Sequence, residues 1–218
     1  MEKEMQKKME FLKSVGTGVI SDAMTLLGID GWTTHVFPIE KNMKIAGPAF
    51  TTRSVIPVNG KEKTLGAYGV IDSCQPGEVI VRAGTPEGRL FGGNMALMAK
   101  NKGVEGVVID GKSRDLNDIE DVMPLFLRSA TVKPSDTTSK LVEIQVPVVF
   151  DGVHVNPGDI VVGDRDGVLF IPADRLDDVI YQAEMIAEVE KEATEALNQH
   201  LPVADVVAII KKKSAMRQ

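Results

Sequence analysis

The sequence predicts a single α/β domain built on a mixed sheet, and three observations carry that prediction. Short apolar, β-branched runs broken by Pro-Gly and Asp-Gly turns fill the middle of the chain. Helix-forming stretches occupy both ends, and one helix-then-strand unit, Gly93 to Asp118, leads from an apolar strand directly into charged residues. Neither a low-complexity tract nor a linker divides the 218 residues. The expected layout is N-terminal helices over about 1–28, a mixed β core over about 44–172 and C-terminal helices over about 173–214.

Each element has its own warrant. Residues Glu2 to Leu12 have helical composition, and TGVISDAMTLLG, Thr17 to Gly28, repeats it with Ile20, Met24 and Leu27 on one face. Ser21 is placed to cap that second helix and Gly28 to stop it. Strand character centres on Ala49 to Val55, with Pro48 and Pro57 as boundaries. The turn Pro76-Gly77 opens a short strand, Glu78 to Val81, that Gly84 ends. Met95 to Ala99 prefer helix, and Gly103 stands where a C-terminal capping glycine belongs. GVEGVVID, Gly103 to Asp110, reads as a buried strand that Asp110-Gly111 breaks. From Gln145 to Pro172, apolar runs alternate with Asp151-Gly152, Pro157-Gly158 and Asp166-Gly167, a hairpin pattern. Ala173 to Gln199 is helical with Ile180, Ala183, Ile186 and Ala187 on one face, and Pro202 begins a short final helix.

Composition excludes several classes of function. With 25 basic and 31 acidic residues the net charge is -6, which disfavours nonspecific attraction to nucleic acid or anionic lipid. Lys211, Lys212 and Lys213 are expected to cap or solvate the last helix. Cys74 is the sole cysteine, has no His or second Cys in metal or redox spacing, and reads as structural. The N-terminus, MEKEMQKKMEFLK, is charged throughout and not built as a signal, and no apolar run is long enough for a bilayer, so a cytoplasmic location is expected.

The chemistry concentrates behind the central strand. Loops that leave the carboxyl end of a strand are where α/β proteins gather ligands, and here that loop carries Arg114, Asp115 and Asp118. A helical turn after Arg114 would set Asp115 and Asp118 on one face at i, i+3, so that two hard oxygen ligands could meet one divalent cation. Upstream, Gly92-Gly93-Asn94 precedes the helix, where unpaired N–H groups of Asn94 and Met95 could face a carboxylate or phosphate. Each piece alone has an ordinary explanation, a packing turn or an exposed ion pair. Together they suit an anionic, oxygen-rich small molecule held by a metal. Other groups are read as structural or solvated: Lys112 in its turn, the scattered His35, His154 and His200, the turn at Asp164, Arg165 and Asp166, and Ser21-Asp22.

The spacing Gly93, twenty residues, Arg114-Asp115, two residues, Asp118 resembles the G-x20-R-D-x2-[E/D] signature of the RraA-like family. That family includes metal-dependent 4-hydroxy-4-methyl-2-oxoglutarate aldolases, oxaloacetate decarboxylases and the regulator of ribonuclease activity that names it. TGVISDAMTLLG, IAGPAFTT, AKNKGVEGVVIDGKSRD and PGDIVVGDRDGVLFIP follow its segments in order over most of the chain. The resemblance implies a layered α/β/β/α fold around a swivelling β-rich core, assembled as a homotrimer or dimer of trimers with sites between subunits. It implies that Asp115 binds Mg2+ or Mn2+, that Arg114 contacts a 2-oxo acid substrate, and that Gly93, Asn94 and Met95 cradle its carboxylate. Many members carry an aspartate where this chain has Gly93, and Asp118 keeps that charge. A glutamate from a neighbouring subunit completes the metal's water shell, with Glu192 the best match and Glu188 and Glu190 as rivals.

The implied reaction is carbon-carbon cleavage: retro-aldol release of pyruvate, decarboxylation of oxaloacetate through the same pyruvate enolate, or both. Its main need is positive charge at the developing oxyanion, supplied by a divalent cation and Arg114, with a water held by Asp118 or Glu192 moving the proton. The alternative is a noncatalytic protein-binding regulator on the same trimeric scaffold. A methyltransferase reading fares worst, because no glycine-rich nucleotide loop follows a first strand.

Overall fold

In the computed structural model, residues 2–56, 65–84, 88–134 and 140–216 are described, and Pro57 lies outside them. In chain order the elements are α1 (Glu2–Leu26), β1 (Phe37–Pro38), β2 (Ile45–Val55), α2 (Ala67–Ser73), β3 (Val79–Ala83), α3 (Gly93–Lys102), β4 (Gly106–Ser113) and α4 (Leu116–Glu120). Then come β5 (Leu125–Ala130), β6 (Lys140–Ile144), β7 (Val148–Phe150), β8 (Val153–Val155), β9 (Ile160–Asp164) and β10 (Gly167–Ile171). One 3-10 turn leads into α5 (Leu176–Asn198), followed by α6 (Val203–Ile210) and a 3-10 segment, Lys211–Met216.

The main sheet runs β1-β5-β4-β3-β2-β9-β10, with β6 added to β2 and β7-β8 as a separate hairpin. Strands β2, β3, β4 and β5 are mutually parallel, and the other pairings are antiparallel. Strand β1 comes back against β10, so the sheet nearly closes.

Alternation along the strands sets the layers. Val79, Val81 and Val108 turn inward with Phe126, Val161, Val168 and Phe170, beneath Phe150 of the small hairpin. The alternate residues Ile80, Val107 and Ile109 face outward to Ile71, Ala96, Ala99 and Ile119 of α2, α3 and α4. On the opposite side Ile160, Val162, Leu169 and Ile171 face Leu12, Ile20 and Met24 of α1 and Val179, Ala183 and Ile186 of α5. The result is the expected α/β/β/α layering, with the helices on two opposite faces of a nearly closed sheet around an apolar centre.

Several local expectations need correction. Pro48 lies within β2 at its last pair with β9, where the strand exchanges β9 for β3 and a missing N–H interrupts no continuous ladder. Asp110-Gly111 does not end β4: a register shift between Ile109 and Lys112 absorbs it, and pairing with β5 resumes through Ser113. Ser21 sits inside α1 and donates to the Gly18 carbonyl. The helix is instead interrupted at Gly16, whose φ of 81° needs glycine, and restarts under a carboxylate from the β9-β10 hairpin. Asp164 accepts from Thr17 N–H at 2.8 Å and from Thr17 Oγ1 at 2.7 Å, a capping contact made across the fold. Asp164→Ala is therefore expected to cost about 1–2 kcal/mol, read as a lower Tm in thermal melts followed by circular dichroism. Lys212 and Lys213 are also not simply solvated, since they bind Glu192 and the pair Asp22 and Glu190. Among the described residues no helix is long and apolar enough to cross a membrane.

Candidate active site

The segment before α3 and the end of β4 are fastened side by side. Leu90 N–H donates to the Lys112 carbonyl at 3.0 Å, and the buried Ser113 hydroxyl donates to the Phe91 carbonyl at 3.0 Å. That stitching sets Gly92-Gly93 against Arg114-Asp115, residues far apart in sequence. Asp115 adopts φ 60°, a left-handed conformation that a short polar side chain tolerates. The chain then turns into α4, where Asp118 N–H donates to the Asp115 carbonyl at 3.0 Å. The sequence-predicted Gly93, Asn94, Met95, Arg114, Asp115 and Asp118 all line one cleft.

The carboxylates converge on the glycine pair. Asp115 Oδ2 accepts from Gly93 N–H at 3.3 Å and lies 3.3 Å from Arg114 Nε. A Cβ on Gly92 would stand 2.8 Å from that same oxygen, and one on Gly93 would stand 3.1 Å from Asp118 Cβ. The two glycines thus make room for two acids. Asp115 and Arg114 keep 32% and 44% of their side-chain surface, so their ion pair adds little stability and leaves both groups reachable from solvent.

A divalent cation fits this donor set. Magnesium commonly takes one or two carboxylates and keeps several waters, and Asp115 with Asp118 offers such a pair. Among the described residues no group of three or more His, Cys, Asp or Glu gathers to hold a metal. Glu188, Glu190 and Glu192 are all on α5 and outside the cleft of their own chain, with Glu192 bound to Lys212 Nζ at 2.6 Å. At the helix start the expectation is half met. Met95 N–H is taken by the Gly92 carbonyl at 3.0 Å, and among the described residues no hydrogen bond takes up Asn94 N–H.

The cleft, about 750 Å3, also holds residues that sequence reasoning missed. Arg82, Arg89 and Lys140 join Arg114, so four cationic side chains face two carboxylates, beside apolar Leu65, Leu90 and Phe91 and the ring of Tyr68. Arg82 had a signal: it is the one charge in VIVRA, a strand buried along its whole length. Cys74 is buried, and burial, with Glu78 adding to it, pushes its thiol up to about 12, which fits a structural role.

Gly92→Ala tests the convergence directly. Gly92 has φ -161°, extended backbone that any residue adopts, so the added methyl acts only by pushing on Asp115. Melting is expected to stay nearly unchanged while Mn2+ affinity, measured by calorimetry, falls about 10- to 100-fold. Unchanged affinity would mean that Asp115 Oδ2 is no ligand.

Fold and cleft together define a layered α/β protein with an arginine-lined, two-carboxylate cleft behind a central parallel strand. Residues 17–170 match the RraA-like family model, Aldolase/RraA, and the chain belongs to that family. It is 31% identical over 210 residues, 94% of each chain, to a Halalkalibacterium halodurans protein named "Putative 4-hydroxy-4-methyl-2-oxoglutarate aldolase". Among solved structures it is similar to an uncharacterized protein from Pseudomonas syringae, at TM-score 0.81 and 28% identity over 92% of this chain and 96% of that one. Streptomyces coelicolor RraAS2, described as an unusual member of the RNase ES inhibitor RraA protein family, superposes at TM-score 0.77 over 86% of this chain and 96% of its own. At 24% identity that likeness speaks to the fold alone.

Proposed function

We propose that the protein is a divalent-metal-dependent carbon-carbon lyase acting on 2-oxo acids. Its reactions would be retro-aldol cleavage of 4-hydroxy-4-methyl-2-oxoglutarate-type substrates to pyruvate, decarboxylation of oxaloacetate, or both. The observation that carries this reading is the convergence of Asp115 and Asp118 on Gly92-Gly93 with Arg114 alongside. A regulator without chemistry would leave the paired acids and the arginine-lined cleft without a use.

Asp115 and Asp118 would hold Mg2+ or Mn2+, which supplies positive charge for an oxyanion forming on the substrate. Arg114 would bind the 2-oxo acid head through its planar fork, and Asn94 N–H would donate to a carboxylate oxygen. In retro-aldol cleavage the C4 hydroxyl loses its proton, the C3–C4 bond breaks, and the electron pair moves to the C2 oxygen, giving the pyruvate enolate that is then protonated at C3. In decarboxylation the same bond breaks with loss of CO2. Asp118, or Glu192 of a neighbouring copy, would hold the water that moves the proton. A glutamate of α5 from a neighbouring copy, Glu192 first, would complete the site in a homotrimer.

Metal removal tests the reading. Pyruvate release from oxaloacetate and from 4-hydroxy-4-methyl-2-oxoglutarate is expected with Mg2+ or Mn2+, to vanish after chelation and to return on adding metal back. Equal rates with and without chelator sink the proposal.

A further inference from the structure

Arg82 is buried, and among the described residues it has no counter-ion. Only 7% of it is exposed, its Nη1 donates to the Leu90 carbonyl at 2.7 Å, and its Nε has no hydrogen-bond partner. Burial alone pushes its pKa down to about 10, which is the direction expected for a charge stripped of water and given no anion in return. A guanidinium has five N–H donors in a fixed fork, and leaving the buried Nε–H unmet is unfavourable unless something else completes it.

The position of Arg82 says what that something is. Strand alternation puts it on the same face as Ile80, the face covered by α2 and α3, where it lines the cleft that also holds Arg114, Asp115 and Asp118. It stands level with Ile109 on β4, deeper than Arg114, which follows the end of that strand. The cleft therefore has one arginine at its rim, beside the carboxylate pair, and another in its floor. Its hydrogen bond to the Leu90 carbonyl fixes the floor guanidinium against the segment that leads into Gly92-Gly93. An anion brought by a ligand is the partner this fork lacks, and a carboxylate matches its geometry.

We infer that Arg82 binds the distal carboxylate of the substrate and selects dicarboxylic 2-oxo acids over monocarboxylic ones. This rests on the reading of the cleft as a 2-oxo acid site, with the head group at Arg114. A pocket built to pair a substrate anion rejects an analogue without it, because the buried donors are then left unmet.

The test uses 2-oxoglutarate and 2-oxopentanoate, two five-carbon acids that differ only in the distal carboxylate. Their binding to the full chain with Mn2+ is measured by calorimetry, so that turnover is not needed. The unsubstituted protein is expected to prefer 2-oxoglutarate by roughly 10- to 100-fold, the range for one charge-assisted hydrogen-bonded contact. Arg82→Met is expected to bind 2-oxopentanoate as the parent does and to lose the preference. Arg82→Lys keeps the buried charge without the fork, and its preference is expected to fall several-fold with both ligands still bound. A preference unchanged in both variants overturns the role of Arg82 and leaves the lyase reading standing. Failure of the parent protein to bind either acid overturns both.

Discussion

Asp115→Asn is expected to lower kcat/KM for pyruvate release by about 10^3-fold or more, and to abolish tight Mn2+ binding, without unfolding the protein. The magnitude follows from removing one directly acting charged group from a site whose work is electrostatic. Asparagine is the informative replacement for a local reason. Residue 115 sits at φ 60°, where Asn is tolerated and Ala adds strain of about 1–2 kcal/mol. The Asn carbonyl oxygen can still accept from Gly93 N–H and Arg114 Nε, so the contacts that hold the loop persist while the anionic ligand is lost. Loss of activity with an unshifted Tm then reports on chemistry. Retention of parental Mn2+ affinity by a folded Asp115→Asn protein would remove Asp115 from the metal and the proposed function with it.

What the sequence made legible was local, and what it hid was set by partners. The α3-β4 unit was readable because its punctuation is intrinsic: Gly103 takes φ 83° just after Lys102, as a capping glycine does. The late turns were readable for the same reason, with Gly152 and Gly167 at positive φ in the β7-β8 and β9-β10 hairpins and Gly158 at positive φ in the turn between β8 and β9. Asp110-Gly111 carried the same turn signal and misled, because pairing with β5 on the far side of a bulge outweighs a two-residue preference. Strand β5 and the seven-residue α2, which has no side-chain cap and contains Gly69, offered no pattern strong enough to read. In the site, the motif residues were legible as a linear spacing. Arg82, Arg89 and Lys140 were not, since only the packing of β3, β6 and the loop before α3 brings them to one cleft. The capping of Thr17 by Asp164, 147 residues apart, could not be read from either segment alone.

Arg128→Met is expected to be the most destabilising single change outside the site, by about 3–5 kcal/mol, the usual result of removing one partner from a buried charge cluster. Asp110 and Asp151 retain only 6% and 3% of their side-chain surface, and Arg128 from β5 binds both, Asp151 through Nη2 at 2.7 Å. Removing the guanidinium leaves two acids close together in a dry place, joined through Asp151 N–H donating to Asp110 Oδ2 at 3.1 Å. For a chain of this length that loss corresponds to a Tm lowered by roughly 10 °C. The pH dependence should move as well. Burial works to raise the Asp151 pKa, but the His35 ring, the N–H groups of Thr34 and His35 and the charge of Arg128 outweigh it and hold the carboxyl below its usual value of 3.8. A depressed carboxyl contributes stability that is complete above the unfolded-state pKa and is lost as pH falls through the folded-state one. Without Arg128 the folded-state pKa rises, so acid unfolding of Arg128→Met should begin at higher pH than that of the parent. A variant whose acid transition stayed in place while its Tm fell would show that Arg128 acts by packing its stem and not by its charge.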